Sequence, residues 1–342
     1  MDEMDLMKKM RDVPPPSTEA YDRARAVLNT AMAEPATTVV RPKRWFSWPR
    51  AGIAAVGAAA VAVAVVMSTT SGSVPVAPPV AAPQVVDSPL VKLASDVKAA
   101  GAQSGDSSLI IRSVVLPNGT PTVFYTVYTD KGQTFVGDTA KNLSAAAAKG
   151  EDLATPHDAA LLAAARLAAN GDLEKAKNAM VNASPGLALG MSPAEQDRAW
   201  AKNQEDTAEV YRLKGLPVPP PKPRPTGKEL EDRVNHFLWM NSTYALFIGA
   251  ANTEVRTGVL KLIATLADVK TGKAEVDGQP ALTLSAAPVL GISGTHVVSV
   301  NADNGLPIRS EVFPVKDSET KPPVAYYKSS RVNLADVVAG KI

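Results

Sequence analysis

Three histidines, His157, His236 and His296, are the only imidazoles in this chain of 342 residues, and no cysteine accompanies them. An imidazole can act as a general base or a metal ligand, but either use needs partners at fixed spacing. The three rings lie far apart in sequence, and none sits in a His-Glu-x-x-His pattern or another ligand spacing. His157 falls in the first turn of a predicted helix, where an exposed ring is expected. His236 lies on an aromatic helix, where a satisfied, partly buried ring is expected, and His296 opens a strand. The acids Glu205, Asp206 and Glu209 share a polar helix with Arg198, Lys202 and Arg212 at i±3 or i±4, the pattern of a solvated face laced by ion pairs. The stretch Gly291-Ile292-Ser293-Gly294 lacks the spacing of a nucleophile elbow, and no glycine-rich phosphate loop follows a strand. Absence of cysteine excludes disulfides, thiolate zinc, a cysteine nucleophile and a lipoprotein anchor through cysteine. Asn118-Gly119-Thr120 and Asn241-Ser242-Thr243 match a glycosylation sequon, but the second lies inside a predicted helix. No catalytic residue, cofactor or metal site is expected, and the role predicted is not enzymatic.

The elements that would position any site follow from turn and cap signals. Leu109 to Leu116 is rich in β-formers, Pro117-Asn118-Gly119 turns the chain, and Thr122 to Tyr128 alternates Val123, Tyr125 and Val127 with Phe124, Thr126 and Tyr128. Asp130-Lys131-Gly132 turns again into Gln133 to Val136, giving a three-stranded meander. Thr155 with Pro156 opens a helix that Asn170-Gly171 stops, and Asp172 starts another towards Asn182. Ser192 to Glu195 is a capping box for a polar helix closed by Gly215, and Thr226 to Glu229 is a second box. Between them Pro217 to Pro225 reads as a stiff spacer. The helix that follows carries Val234, Phe237, Leu238, Trp239, Leu246, Phe247 and Ile248. Asn252 or Thr253 caps the next, with Val255, Val259, Leu262, Ile263 and Leu266 as its core stripe. Strands return after Lys273, around Asp277-Gly278 and then around the hairpin loop Asn301 to Gly305, and Val324 to Val332 is the last. Strands, then helices, then strands predict an α+β domain of mostly antiparallel sheet with helices packed on one side. Whether the two strand groups share a sheet is left open by pattern alone.

Residues Ala51 to Val86 carry no charge, and Ala51 to Met67 consists only of Ala, Gly, Val, Ile and Met. At about 1.5 Å per residue that stretch covers roughly 26 Å, slightly short of a ~30 Å hydrocarbon core. Extension to Trp45 or Trp48 on one side and Thr70 on the other closes the gap. Arg41, Lys43, Arg44 and Arg50 precede the run, so a single span with the N-terminus cytoplasmic is expected, with Arg44, Trp45, Trp48 and Arg50 at the membrane interface. A cleaved signal is the competing reading, opposed by the fifty residues of charged chain ahead of the run. The predicted layout is a cytoplasmic segment at 1–50, a transmembrane helix at 51–70, a Pro/Ala/Val-rich linker at 71–90, and an extracytoplasmic domain at 91–342 with a proline-rich insertion at 215–227. Net charge is +2, and beyond residue 50 Lys plus Arg balances Asp plus Glu at 27 each, so nucleic acid is not an expected partner.

The N-terminal segment holds two short amphipathic pieces split by Pro14-Pro15-Pro16. Its string Met1-Asp2-Glu3-Met4 with Leu6 and Met7, Arg11-Asp12-Val13-Pro14, Pro16-Ser17, Ala20, Ala24-Arg25 and Leu28 resembles the opening of an uncharacterised family of actinobacterial single-pass membrane proteins. Those proteins are often encoded beside extracytoplasmic-function sigma factors. Val255-Arg256 through Leu266-Ala267 and Val269 resembles that family's helix before a valine-rich hairpin. Val300, Asp303, Gly305-Leu306-Pro307-Ile308-Arg309 and Glu311 resemble the hairpin itself. The resemblance implies a regulator-like layout, and the short amphipathic segment predicts that Leu6, Met10, Tyr21, Val27, Leu28 and Met32 contact a cytoplasmic partner, plausibly a sigma factor. The alternative expectation is an outer module that binds an apolar ligand, a lipid or lipoprotein tail, on the concave face of a curved sheet.

Overall fold

Alternating residues set the strands, and turn chemistry sets where each one ends. The structure, a computed structural model, describes residues 88–116, 119–287, 294–314 and 323–342, which form eight helices and eight strands. The expected cytoplasmic segment, the uncharged run, the interface residues Arg44, Trp45, Trp48 and Arg50, and the contact residues Leu6, Met10, Tyr21, Val27, Leu28 and Met32 lie outside the described residues. Among the described residues no helix is long and apolar enough to cross a membrane.

The strands are β1 (Ser107–Val115), β2 (Pro121–Thr129), β3 (Thr134–Gly137), β4 (Lys270–Val276), β5 (Gln279–Ala286), β6 (Gly294–Asn301), β7 (Pro307–Pro314) and β8 (Val324–Val332). They form one antiparallel sheet in the order β3-β2-β1-β8-β7-β6-β5-β4. The two strand groups therefore join, and the joint is β1 against β8, in register from Ser107 opposite Val332 to Val115 opposite Val324. The Asp277-Gly278 turn carries two left-handed residues, at φ 51° and φ 74°, the conformation of a tight hairpin whose twist matches its strands. Between β6 and β7 the register shifts at Ser299/Val300.

The helices are α1 (Pro89–Ala99), α2 (Ala140–Lys149), α3 (Pro156–Ala169), α4 (Leu173–Asn182), α5 (Pro193–Leu213), α6 (Gly227–Gly249), α7 (Thr253–Ile263) and α8 (Leu334–Val338). Helix α1 starts at Pro89, inside the linker expected to reach residue 90. Thr155 Oγ1 accepts from the Asp158 amide at 3.1 Å and Asn252 Oδ1 from the amides of Glu254 and Val255, so both predicted caps form. Ser192 and Glu195 close their capping box. The box expected at Thr226 and Glu229 does not form, because Glu229 pairs with Arg233 one turn on.

The main core lies between the helical layer and the inner face of the sheet. It joins Leu90, Leu93 and Val97 of α1, Leu161 and Ala165 of α3, Met180 of α4, Trp239 and Leu246 of α6 and Val259 and Leu262 of α7 to Leu282, Leu284, Val298 and Val300. Each buried Leu or Val side chain contributes about 1.5–3 kcal/mol relative to exposure. The outer face is not bare, contrary to a one-sided arrangement of helices. Leu109, opposite Val127, points with Phe135 to the side away from Ile110, where Leu143 and Ala147 of α2 and Val337 of α8 cover it. Helix α2 is not among the elements expected from sequence, since its alanine-rich run carries little periodicity. Its Thr139 cap, which accepts from the Asn142 amide, is the signal that marks it.

The proline-rich stretch is also no free spacer. Trp200 Nε1 and Gln204 Nε2 donate to the Lys222 carbonyl at 2.8 and 2.7 Å, and Gln204 Oε1 accepts from the Lys222 amide at 2.5 Å. Arg224 binds Asp197 and Gln196, so the segment straps along α5. The exposed Lys202–Asp206 pair confirms the solvated face of that helix.

Candidate functional site

Alternation on β1, β2, β3 and β8 brings one row of side chains to the inner face. Arg112 stands opposite Phe124 on one side and Tyr327 on the other, and Ile110 stands opposite Thr126, which pairs onward with Val136. Helix α6 crosses above this row, and residues 244, 247 and 248, spaced one helical turn apart, meet it from the other side. Phe247 stacks on Tyr327 with ring centroids 4.4 Å apart and planes 5° from parallel. Between sheet and helix is a cavity of about 450 Å³, whose walls also include Tyr128, Tyr244 and, at one end, Ser310. That volume lies within the range of small-molecule sites, and apolar walls with a few converging polar groups are their usual character.

The polar groups are ordered. Tyr128, Tyr244 and the carboxylate of Asp158, which is buried in the first turn of α3, lie close enough to influence one another. Burial is the first cause that raises both phenols above the ordinary tyrosine value, and the neighbouring Asp158 charge adds to it. Tyr327 is raised by burial too, against the pull of the Arg112 charge. At neutral pH all three phenols are uncharged.

At the Ser310 end the structure joins two residues that sequence analysis kept apart. His296 Nε2 is 2.9 Å from Ser310 Oγ, and Trp239 Nε1 donates to His296 Nδ1 at 3.0 Å. An indole nitrogen can only donate, so in the neutral ring Nδ1 accepts and Nε2 carries the hydrogen. His296 therefore donates to Ser310 and cannot take its proton. This polarity is opposite to that of a nucleophile with its general base. The pair orients the serine, whose remaining proton is left for the cavity.

The other histidines differ from expectation. His157 is half-buried, donates from Nδ1 to the Ala183 carbonyl at 3.0 Å, and stacks beside Tyr244. His236 is not satisfied, since its Nδ1 is buried with no hydrogen-bond partner. Asn241 is held inside by the Met180 carbonyl at 2.7 Å and by Ser184, so this sequon is part of the core. Asn118 and residues 291–293 lie outside the described residues. Among the described residues no cluster of His, Asp or Glu could hold a metal ion.

Burial depresses the pKa of His296, and burial together with Arg233 depresses that of His236. A lowered folded pKa means that the unfolded chain takes up the proton first. Stability is complete above about 6.5, the ordinary histidine value, and is lost as pH falls from there towards the folded values. Urea midpoints of the full chain should therefore drop between pH 7.5 and pH 5.5, and His296→Gln should reduce that slope. An unchanged midpoint across this window would contradict the assignment.

A larger hollow of about 950 Å³ lies between α1 and the β4–β5 hairpin. Its walls are mainly Pro89, Val91, Ala274 and Pro280, and its Lys92 is already paired with Asp96 at 2.6 Å. Its remaining polar residues are Ser88 and Lys273. Comparison of the chain with protein-family models, with curated proteins and with solved structures finds no match in any of the three. What fold and site together define is an antiparallel α+β domain with an aromatic cavity between its sheet and one long helix.

Proposed function

We propose that this domain is a binding module for a small apolar ligand, carried as the outer part of a single-span envelope protein. The observation that supports it is the cavity walled by Phe124, Tyr128, Tyr244, Phe247 and Tyr327. Phe124, Tyr244 and Val136 are left exposed at its rim although each is a large apolar surface, which suits a site that a ligand covers. The uncharged run at 51–67 and the cations before it support the membrane tether. The resemblance of the N-terminal string supports a regulatory role, in which ligand occupancy is reported to a cytoplasmic partner such as a sigma factor through Leu6, Met10, Tyr21, Val27, Leu28 and Met32. The ordered relation of Ser310 to His296 favours binding over hydrolysis.

The test uses the full chain in phosphatidylcholine nanodiscs, titrated with 2-naphthylmethanol by calorimetry against empty discs. One saturable site per chain is expected. Thr126→Trp, which places a ring in the middle of the cavity, should weaken it about tenfold or more while leaving the circular dichroism spectrum unchanged. Heats identical to those of empty discs would overturn the reading.

A further inference from the structure

The hydrogen bonds already made around the cavity leave it with protons to give and almost nothing to accept them. Ser310 Oγ receives the His296 Nε2 hydrogen, so its own proton is free. Tyr327 stands opposite Arg112 across the β1–β8 joint, and its uncharged phenol keeps a hydrogen to give. Arg112 keeps further N–H groups, and among the described residues it forms no ion pair with a carboxylate. Asp158 is not among the residues that line the cavity, and its charge falls on the Tyr128 and Tyr244 phenols. Thus a cation and two hydroxyl donors border a space whose other walls are mainly aromatic and aliphatic.

We infer that the ligand is an apolar carboxylate with a flat body, its carboxylate on Arg112 with the Tyr327 and Ser310 hydroxyls and its body between Phe124 and Phe247. The inference rests on the binding reading above and narrows it to one chemical class. A neutral ligand would leave the Arg112 guanidinium without an anion, whereas a carboxylate supplies acceptors matched to its fork. A phosphate monoester fits worse, because one cation faces what would be nearly two negative charges. Arg112 is exposed on its strand at the cavity edge, so an anion can reach it without entering the core.

The test compares 2-naphthoate with 2-naphthylmethanol, the same ring system with and without the charge, on the full chain in phosphatidylcholine nanodiscs at pH 7.5. In the wild type the carboxylate should bind about tenfold more tightly, the advantage of roughly one charge-assisted hydrogen bond. Arg112→Gln should bring the two within about twofold by weakening naphthoate alone, and Arg112→Lys should restore part of the difference. Equal binding of both probes to the wild type would overturn the carboxylate inference and leave the cavity reading standing. An Arg112→Gln protein that loses both probes alike would overturn it as well, since the arginine would then be shaping the cavity. Failure of both probes to bind the wild type would overturn the inference and the binding reading together.

Discussion

Gly258→Ala is expected to destabilise the domain by about 3 kcal/mol, the upper end of what overpacking costs, although the change adds a single methyl group. Gly258 lies on α7 where it crosses α3, and a Cβ built there would overlap the Ala165 carbonyl oxygen outright and meet the Ala169 amide nitrogen at 3.0 Å. The obstacle is helical backbone on both sides, so no side chain can swing away to make room. The helices must separate, and the core to which Leu161, Leu162, Val255 and Leu262 belong loosens with them. At roughly 2–4 °C per kcal/mol for a domain of this size, the melting temperature should fall by about 6–12 °C. Gly278→Ala is the internal contrast. Nothing lies within 4 Å of a Cβ there, and the cost is only that of a left-handed φ of 74°, about 1 kcal/mol. Thermal melts followed by circular dichroism that rank these two variants the other way would refute the close crossing.

The second large effect concerns Trp239, almost fully buried on α6 with its indole edge against the His296 ring at 5.5 Å. Trp239→Ala should cost about 3–5 kcal/mol, through lost burial and the void left between α6 and the sheet. Trp239→Phe keeps most of the packing but removes the indole donor to His296 Nδ1, and should cost about 1–3 kcal/mol. The two variants separate packing from hydrogen bonding. Trp239→Phe should also release the ring from its fixed tautomer. Nitrogen chemical shifts of His296, expected to place the hydrogen on Nε2 in the wild type, should then show exchange between both ring nitrogens. A wild-type spectrum with the hydrogen on Nδ1 would contradict the polarity argued for Ser310.

Local chemistry made most elements legible in the sequence. Thr155-Pro156, Ser192 to Glu195 and Asn252 announce helix starts by the donors they satisfy, and Asp277-Gly278 and Asn301 to Gly305 announce hairpins by the backbone angles they permit. Long-range pairing left no such mark. Nothing near Ser107 reports that Val332 will lie beside it, so the union of the two strand groups and everything built upon it stayed hidden. The cavity belongs to that hidden class. The row Phe124, Thr126 and Tyr128 could be read from alternation, but Arg112 meets Tyr327 only through the β1–β8 joint, and Phe247 reaches them only through tertiary packing. The bond from His296 to Ser310 likewise needs two strands in register. Sequence placed the candidate contact residues at Leu6 to Met32, outside the described residues, while the cavity carries the structural case.

The placement of β8 bears on how this chain is made. Strands β1 to β3 leave the ribosome early and β4 to β7 late, but neither meander can meet the other until residues 324–332 have been synthesised. A growing chain therefore carries an open sheet edge on β1 from the time the first meander emerges, joined late by one on β7, until β8 arrives. Such edges invite pairing with other chains, and a closure between partners so distant in sequence is slow. A nascent chain of this kind has reason to need a chaperone until its last strand arrives.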